Sequence, residues 1–170
     1  MGKYFVMSYM FNKTTASDFG FLPNGENEAI DPADNSIWIK TLLYDFGWGQ
    51  ENGFYKTPLP GFDVLMDLVL YSKNRSDIYG AAEIILEKYP YELLAEIEKI
   101  MTDQSRKAEF ERMAEIFDLQ RPTNRCPVIH KAYEQMMLDF SRWEKVSEAA
   151  KRIKPKRFKR KRNDKIWETL

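Results

Sequence analysis

The chain has 170 residues, 44% hydrophobic and 14% aromatic, which is enough apolar material for one domain with a real core and too much for a disordered chain. Its single cysteine, Cys126, excludes an internal disulfide, and no apolar run approaches the ~20 residues of a membrane span, so a cytoplasmic setting without membrane insertion is expected. The net charge of zero hides an asymmetry: ten of the 26 basic and two of the 26 acidic residues lie beyond residue 150, leaving sixteen basic and twenty-four acidic residues before it, a net of −8.

Residues 3–11, KYFVMSYMF, are apolar without a clear period. Alternation sets Tyr4, Val6, Ser8 and Met10 on one face and suits a short strand, although helical spacing fits nearly as well. As a secretory signal the stretch is short, Tyr-rich and without a cleavage site. Val6 stands where a myristoylation motif opening at Gly2 wants Ser or Thr. Residues 12–30 read as an ordered loop with a turn at Pro23-Asn24-Gly25, into which Phe19, Phe21 and Leu22 must pack.

A helix is predicted over 32–46. Asp31 would cap it, Pro32 would take the first position, Gly47 would follow the end, and Trp38, Ile39, Leu42, Leu43 and Phe46 would form the buried stripe. The Gly- and Pro-rich run GWGQENGFYKTPLPG then carries Trp48, Phe54 and Tyr55. Aromatics on such a loop either fold onto the core or offer themselves to a partner, and all three are candidate partner-binding residues.

Residues 61–101 read as three short helices joined by tight turns. The first covers Phe62 to Tyr71, apolar almost all round, with only Asp63 and Asp67 making a polar stripe. After SKNRS, Ser76 is the predicted cap of a second helix, whose stripe is Ile78, Ala81, Ala82, Ile85 and Tyr89, with Glu83 and Glu87 outward. Pro90 opens a third helix, with Leu93, Leu94, Ile97, Ile100 and Met101 on one side. A fourth helical signal spans 103–118 and contains Phe110, Met113, Ala114 and Phe117. The last and longest spans 127–153, where Ile129, Tyr133, Met136, Phe140, Trp143, Ser147, Ala150 and Ile153 recur at fours and threes as a stripe to lie across a bundle.

Little in the chain suggests catalysis. Cys126 and His130 stand four apart at the predicted start of the last helix, where a thiol is activated by the helix dipole, but a lone cysteine there is more simply a small buried group. Asp63/Asp67 and Glu83/Glu87 sit on polar helix faces, where solvation accounts for them. One cysteine and one histidine are too few for a structural zinc site, GWGQENG lacks the ending of a phosphate loop, and no cofactor is expected.

The sharpest compositional feature is the C-terminal run. Lys151, Arg152, Lys154, Lys156, Arg157, Lys159, Arg160, Lys161 and Arg162 are nine cations without an acid between them. With Phe158 available to stack on a base, they form a candidate phosphate-binding segment. Solubilisation, nuclear targeting and attachment to the acidic body are the other readings.

The run from 61 to 101, and SDIYGAAEIILEKYPYELL within it, resembles the helical hairpin units of HEAT-like proteins, including small bacterial immunity proteins that neutralise a toxin. The resemblance implies a non-enzymatic inhibitor that binds by surface complementarity, and the acidic body would suit a basic target. It transfers no binding residues. The expected fold is mainly α: a single-domain helical bundle or short HEAT-like stack of five or more helices over 1–153, irregular to about residue 30, with a short N-terminal strand and a basic, extended tail over 154–170. The expected function is a protein-binding module, possibly immunity-type against a basic toxin domain, with nucleic-acid association through 151–162 as the alternative.

Overall fold

The computed structural model describes residues 2–7, 15–45 and 50–153, without side-chain detail at 44, 45 and 50–52. The mainly α expectation is wrong for the N-terminal third. Strands β1 (Phe5–Met7), β2 (Leu22–Pro23), β3 (Glu28–Ile30), β4 (Ile37–Asp45) and β5 (Gln50–Lys56) form one antiparallel sheet in the order β1-β5-β4-β3-β2. Helices α1 (Phe62–Tyr71), α2 (Arg75–Lys88), α3 (Pro90–Thr102), α4 (Lys107–Ile116) and α5 (Tyr133–Lys151) follow. The chain is therefore mixed α and β, neither an all-α bundle nor a pure helical stack.

The predicted helix over 32–46 is replaced by a turn and strand β4. Asp31 does cap, but it caps a turn. Its carboxylate accepts the Ala33 N–H at 2.9 Å, and its carbonyl accepts the Asn35 N–H at 2.8 Å. Asn35 takes φ 58°, a left-handed conformation its short side chain tolerates. Asp34 accepts from Ser36 N–H and binds Lys56 of β5 at 2.5 Å, closing the turn over the sheet. From Ile37 the chain pairs with β3 on one side and β5 on the other. Such a central strand buries residues on both faces, so its apolar positions do not alternate cleanly.

Two cores result. On one face Phe5, Met7 and Leu43 join the helices in the main core with Leu65, Val69, Ile85, Leu93, Ile97 and Met113. On the other, Val6, Phe21, Ala29, Trp38 and Phe54 form a smaller core. A 3₁₀ turn at Ala16–Phe19, capped reciprocally by Thr15 and Asp18, brings Phe19 and Phe21 across it. Phe21 stacks on Trp38 at 4.8 Å and meets Phe54 edge-on at 5.9 Å. The stretch read as loop thus includes this turn and the β2–β3 hairpin, with Gly25 at φ 94° where Pro23-Asn24-Gly25 predicts a turn. The strand reading of the N-terminus holds for Phe5–Met7.

The helical half agrees closely with the sequence, with local differences. Helix α1 has the predicted bounds, but Val64 and Tyr71 are exposed, so it is not apolar-packed all round. Its C-terminal carbonyls are held by Arg112, which donates to Val69 O at 2.6 Å and Ser72 O at 2.8 Å. Asn74, not Ser76, caps α2 by accepting the Asp77 N–H. Pro90 opens α3 as predicted. Helix α4 ends in a Schellman turn: Asp118 takes φ 48° and Leu119 N–H reaches Ala114 O at 3.0 Å, burying Leu119.

The sheet is tied to the helices through Asp77. Its carboxylate, 3% exposed, accepts the backbone N–H groups of Lys3 at 2.8 Å, Tyr4 at 2.9 Å and Phe5 at 3.1 Å. One turn on, Gly80 leaves the room that the Phe5 side chain fills, and a Cβ there would overlap the ring.

Candidate functional site

Helix α5 begins later than predicted. His130 takes φ 61°, which stops a helix forming across 127–131, and Tyr133 is the first helical residue. The segment before it is pinned by a buried charge. Asp139, fully buried, accepts from Lys131 Nζ at 2.5 Å, Gln135 Nε2 at 3.1 Å and the Tyr91 hydroxyl of α3 at 3.2 Å. Lys131 Nζ also lies 4.2 Å from the centre of the Tyr91 ring. A buried carboxylate needs such partners, and these fix where 127–132 runs.

Further along, Arg142 grips Glu98 of α3 with two hydrogen bonds, at 2.9 and 2.6 Å. Trp143, Val146, Ser147 and Ala150 face inward, Ser147 donating to Gln120 O at 2.7 Å. The predicted stripe of the last helix is therefore divided. Its C-terminal half is core: Trp143 and Ala150 are buried and Ile153 packs against them. Its N-terminal half is surface: Ile129 is 75%, Tyr133 70% and Phe140 38% exposed, while Met136 is half-buried and its neighbour Met137, which the predicted stripe left out, is 48% exposed. Tyr133, Met137 and Phe140, at i, i+4 and i+7, share one side of α5. Val128 and Ile129 stand exposed just before its first turn.

The same side continues through Glu144 and Glu148, both exposed and without an ion pair among the described residues. Between Tyr133 and Glu148 this row holds no cation; Lys151 follows at the helix end. Glu148 also lines a cleft of about 840 Å³ between the end of α3, α4 and the end of α5, together with Met101, Phe110, Ala149, Lys107, Lys145 and Arg152.

The predicted site residues are scattered. Phe54 is 3% exposed in the smaller core, which leaves it little surface to offer, and Tyr55 is half-buried on the helical side of the sheet. Trp48 lies outside the described residues. Lys151 and Arg152 are exposed at the end of α5, and Lys154, Lys156, Arg157, Phe158, Lys159, Arg160, Lys161 and Arg162 lie outside the described residues. Cys126 and His130 diverge: the thiol is buried and accepts from the Trp143 indole N–H at 3.5 Å, whereas His130 is exposed. Burial pushes the Cys126 thiol above its ordinary pKa, the opposite of nucleophile activation. Asp63 and Asp67 are exposed, Glu83 is half-buried and Glu87 exposed. Among the described residues no three His, Cys, Asp or Glu side chains are grouped to hold a metal ion, and no helix is long and apolar enough to cross a membrane.

Comparison with family models, with curated proteins and with solved structures finds no match to this chain.

Proposed function

We propose that this protein is a non-enzymatic module that recognises another protein through the outer side of α5. The observation that supports this reading is the row Tyr133, Met137 and Phe140 on one side of α5, with Val128 and Ile129 also exposed just before the helix. Single exposed apolar residues are ordinary on a protein surface. Three large apolar side chains at i, i+4 and i+7 on a helix anchored from behind are less so, because leaving them in water forgoes their burial energy unless a partner covers them. Aromatic and methionine side chains are also the types enriched in interface cores. An immunity-type inhibitor of a basic toxin domain is the most specific form of the proposal, favoured by the net −8 of residues 1–150.

Affinity capture from cells of the source organism tests it, run with the wild type, Met137→Glu on α5 and Leu22→Glu on the sheet as a control. The proposal expects a protein retained by the wild type and the control but lost with Met137→Glu. An identical set retained by all three contradicts it.

The second reading, nucleic-acid association, rests on the nine cations of 151–162. If most of them engage phosphates, affinity for nonspecific DNA falls with a log–log salt slope of several units. Absence of binding at low salt removes that reading.

A further inference from the structure

We infer that the partner segment seated on α5 is a basic amphipathic helix, whose apolar residues cover Tyr133, Met137 and Phe140 and whose lysines or arginines meet Glu144 and Glu148. This inference rests on the binding role proposed above and adds the chemistry of the occupant.

Three features point to it. First, the exposed row is about as long as a short helix: from Tyr133 to Glu148 it covers fifteen rises of 1.5 Å, roughly 22 Å. A helix laid alongside presents its own i, i+3/i+4, i+7 row to it. Second, the row is divided by chemistry, with apolar side chains in its first two turns and carboxylates in the next two. An occupant that is apolar throughout would desolvate Glu144 and Glu148 without compensation, and an acidic one would be repelled.

Third, two of the neighbouring cations are engaged elsewhere. Lys131 is bound to Asp139 and Arg142 to Glu98, which leaves Glu144 without them, whereas Lys145 and Arg152 line the cleft that Glu148 also lines. Glu144 and Glu148 have no ion pair among the described residues, so both exposed carboxylates are open to a cationic group from outside. Glu134, exposed beside Tyr133, adds to the same sign. The exposed methionine suits leucine-type anchors, since its flexible side chain adapts to an irregular apolar surface, and the two rings beside it supply apolar area.

The test uses the full chain and two synthetic fifteen-residue helical peptides. Both carry leucines on one row in the first two turns. One carries lysines on that row in the last two turns, the other glutamates. Binding is measured by fluorescence anisotropy at low and high salt. The expected result is that the lysine peptide binds at least about tenfold more tightly than the glutamate peptide at low salt, with the gap shrinking as salt screens it. Glu144→Lys/Glu148→Lys should reverse the preference, and Met137→Glu should abolish binding of both peptides. Tyr133→Glu serves as a second disruption, and circular dichroism confirms that each variant is folded.

Equal binding of the two peptides, lost in both cases with Met137→Glu, overturns the charge inference and leaves the docking face standing. Binding of neither, or binding indifferent to Met137→Glu, overturns the docking face itself. Self-association removed by Met137→Glu makes the occupant a second copy and overturns the inference of a basic helix from another protein.

Discussion

The Asp77 carboxylate accepts the backbone N–H of Phe5 at 3.1 Å across 72 residues of sequence, and takes those of Lys3 and Tyr4 as well. One side chain at the start of α2 thereby holds the N-terminal edge of the sheet. Asp77→Ala removes an acceptor from N–H groups that are partly or wholly buried, at a cost of about 3 kcal/mol. Asp77→Asn keeps one acceptor oxygen but turns an amide donor toward the remaining N–H groups, at about 2 kcal/mol. Urea unfolding should show both losses, and hydrogen exchange should show faster exchange at Phe5. Wild-type stability in Asp77→Ala would mean that this contact is not what fixes β1.

Gly80 sits in the middle of α2, where alanine ordinarily improves a helix by about 1 kcal/mol. Here Gly80→Ala should destabilise by roughly 1–3 kcal/mol, because the new methyl meets the Phe5 side chain. Phe5→Ala, which removes the Cγ and Cδ1 that the new methyl would meet, destabilises on its own, but added to Gly80→Ala it should cost less than in the wild type. A double-mutant cycle by thermal melting reads the coupling; strict additivity would place Phe5 away from Gly80.

Lys131 neutralises Asp139, whose side chain is fully buried. Lys131→Met leaves that charge unpaired and should cost about 3 kcal/mol. The pair Lys131→Met with Asp139→Leu should recover much of the loss, because two apolar groups do not require each other as the ions do. A double variant no more stable than Lys131→Met alone would show that the ion pair itself, rather than the stranded carboxylate, carries the effect.

Cys126 gives a pH dependence with a definite sign. Its thiol is raised in the folded protein by burial, so the unfolded chain loses its thiol proton first. The stability this group contributes is present below about pH 8.5 and falls as pH rises from there toward the folded value. The stability gap between the wild type and Cys126→Ala should therefore narrow above that pH. Iodoacetamide near neutral pH should label Cys126 only after unfolding; rapid labelling of the native protein would contradict its burial.

The helical half was legible because its signals are local. Phe62 to Tyr71 and Pro90 to Thr102 have apolar spacing near 3.6 residues and start at Gly61 or Pro90, so period and punctuation agree. Strand β4 was not legible. Asp31-Pro32 is as good a turn opening as a helix opening, and burial of Trp38 on one face and Leu43 on the other breaks the alternation that marks a strand. The Asp77 contact was hidden because an aspartate in a helix's first turn already has a local explanation in the dipole, although Gly80 three residues later marks a close approach. On α5 the sequence stripe included Tyr133 and Phe140 but took Met136 in place of Met137, because two adjacent methionines fit the spacing about equally; periodicity is also the same whether a stripe faces a core or a partner, and only burial separates the two.

Hydroxyl-radical footprinting inside cells of the source organism, set against the purified protein, tests the role of α5 most directly. Tyr133, Met137 and Phe140 should be oxidised readily in the purified protein and protected in cells, while Tyr71 and Leu22, exposed at 61% and 57% on other elements, react alike in both. Equal oxidation of the α5 row in cells and in isolation would mean that nothing covers it, and the binding role would fall.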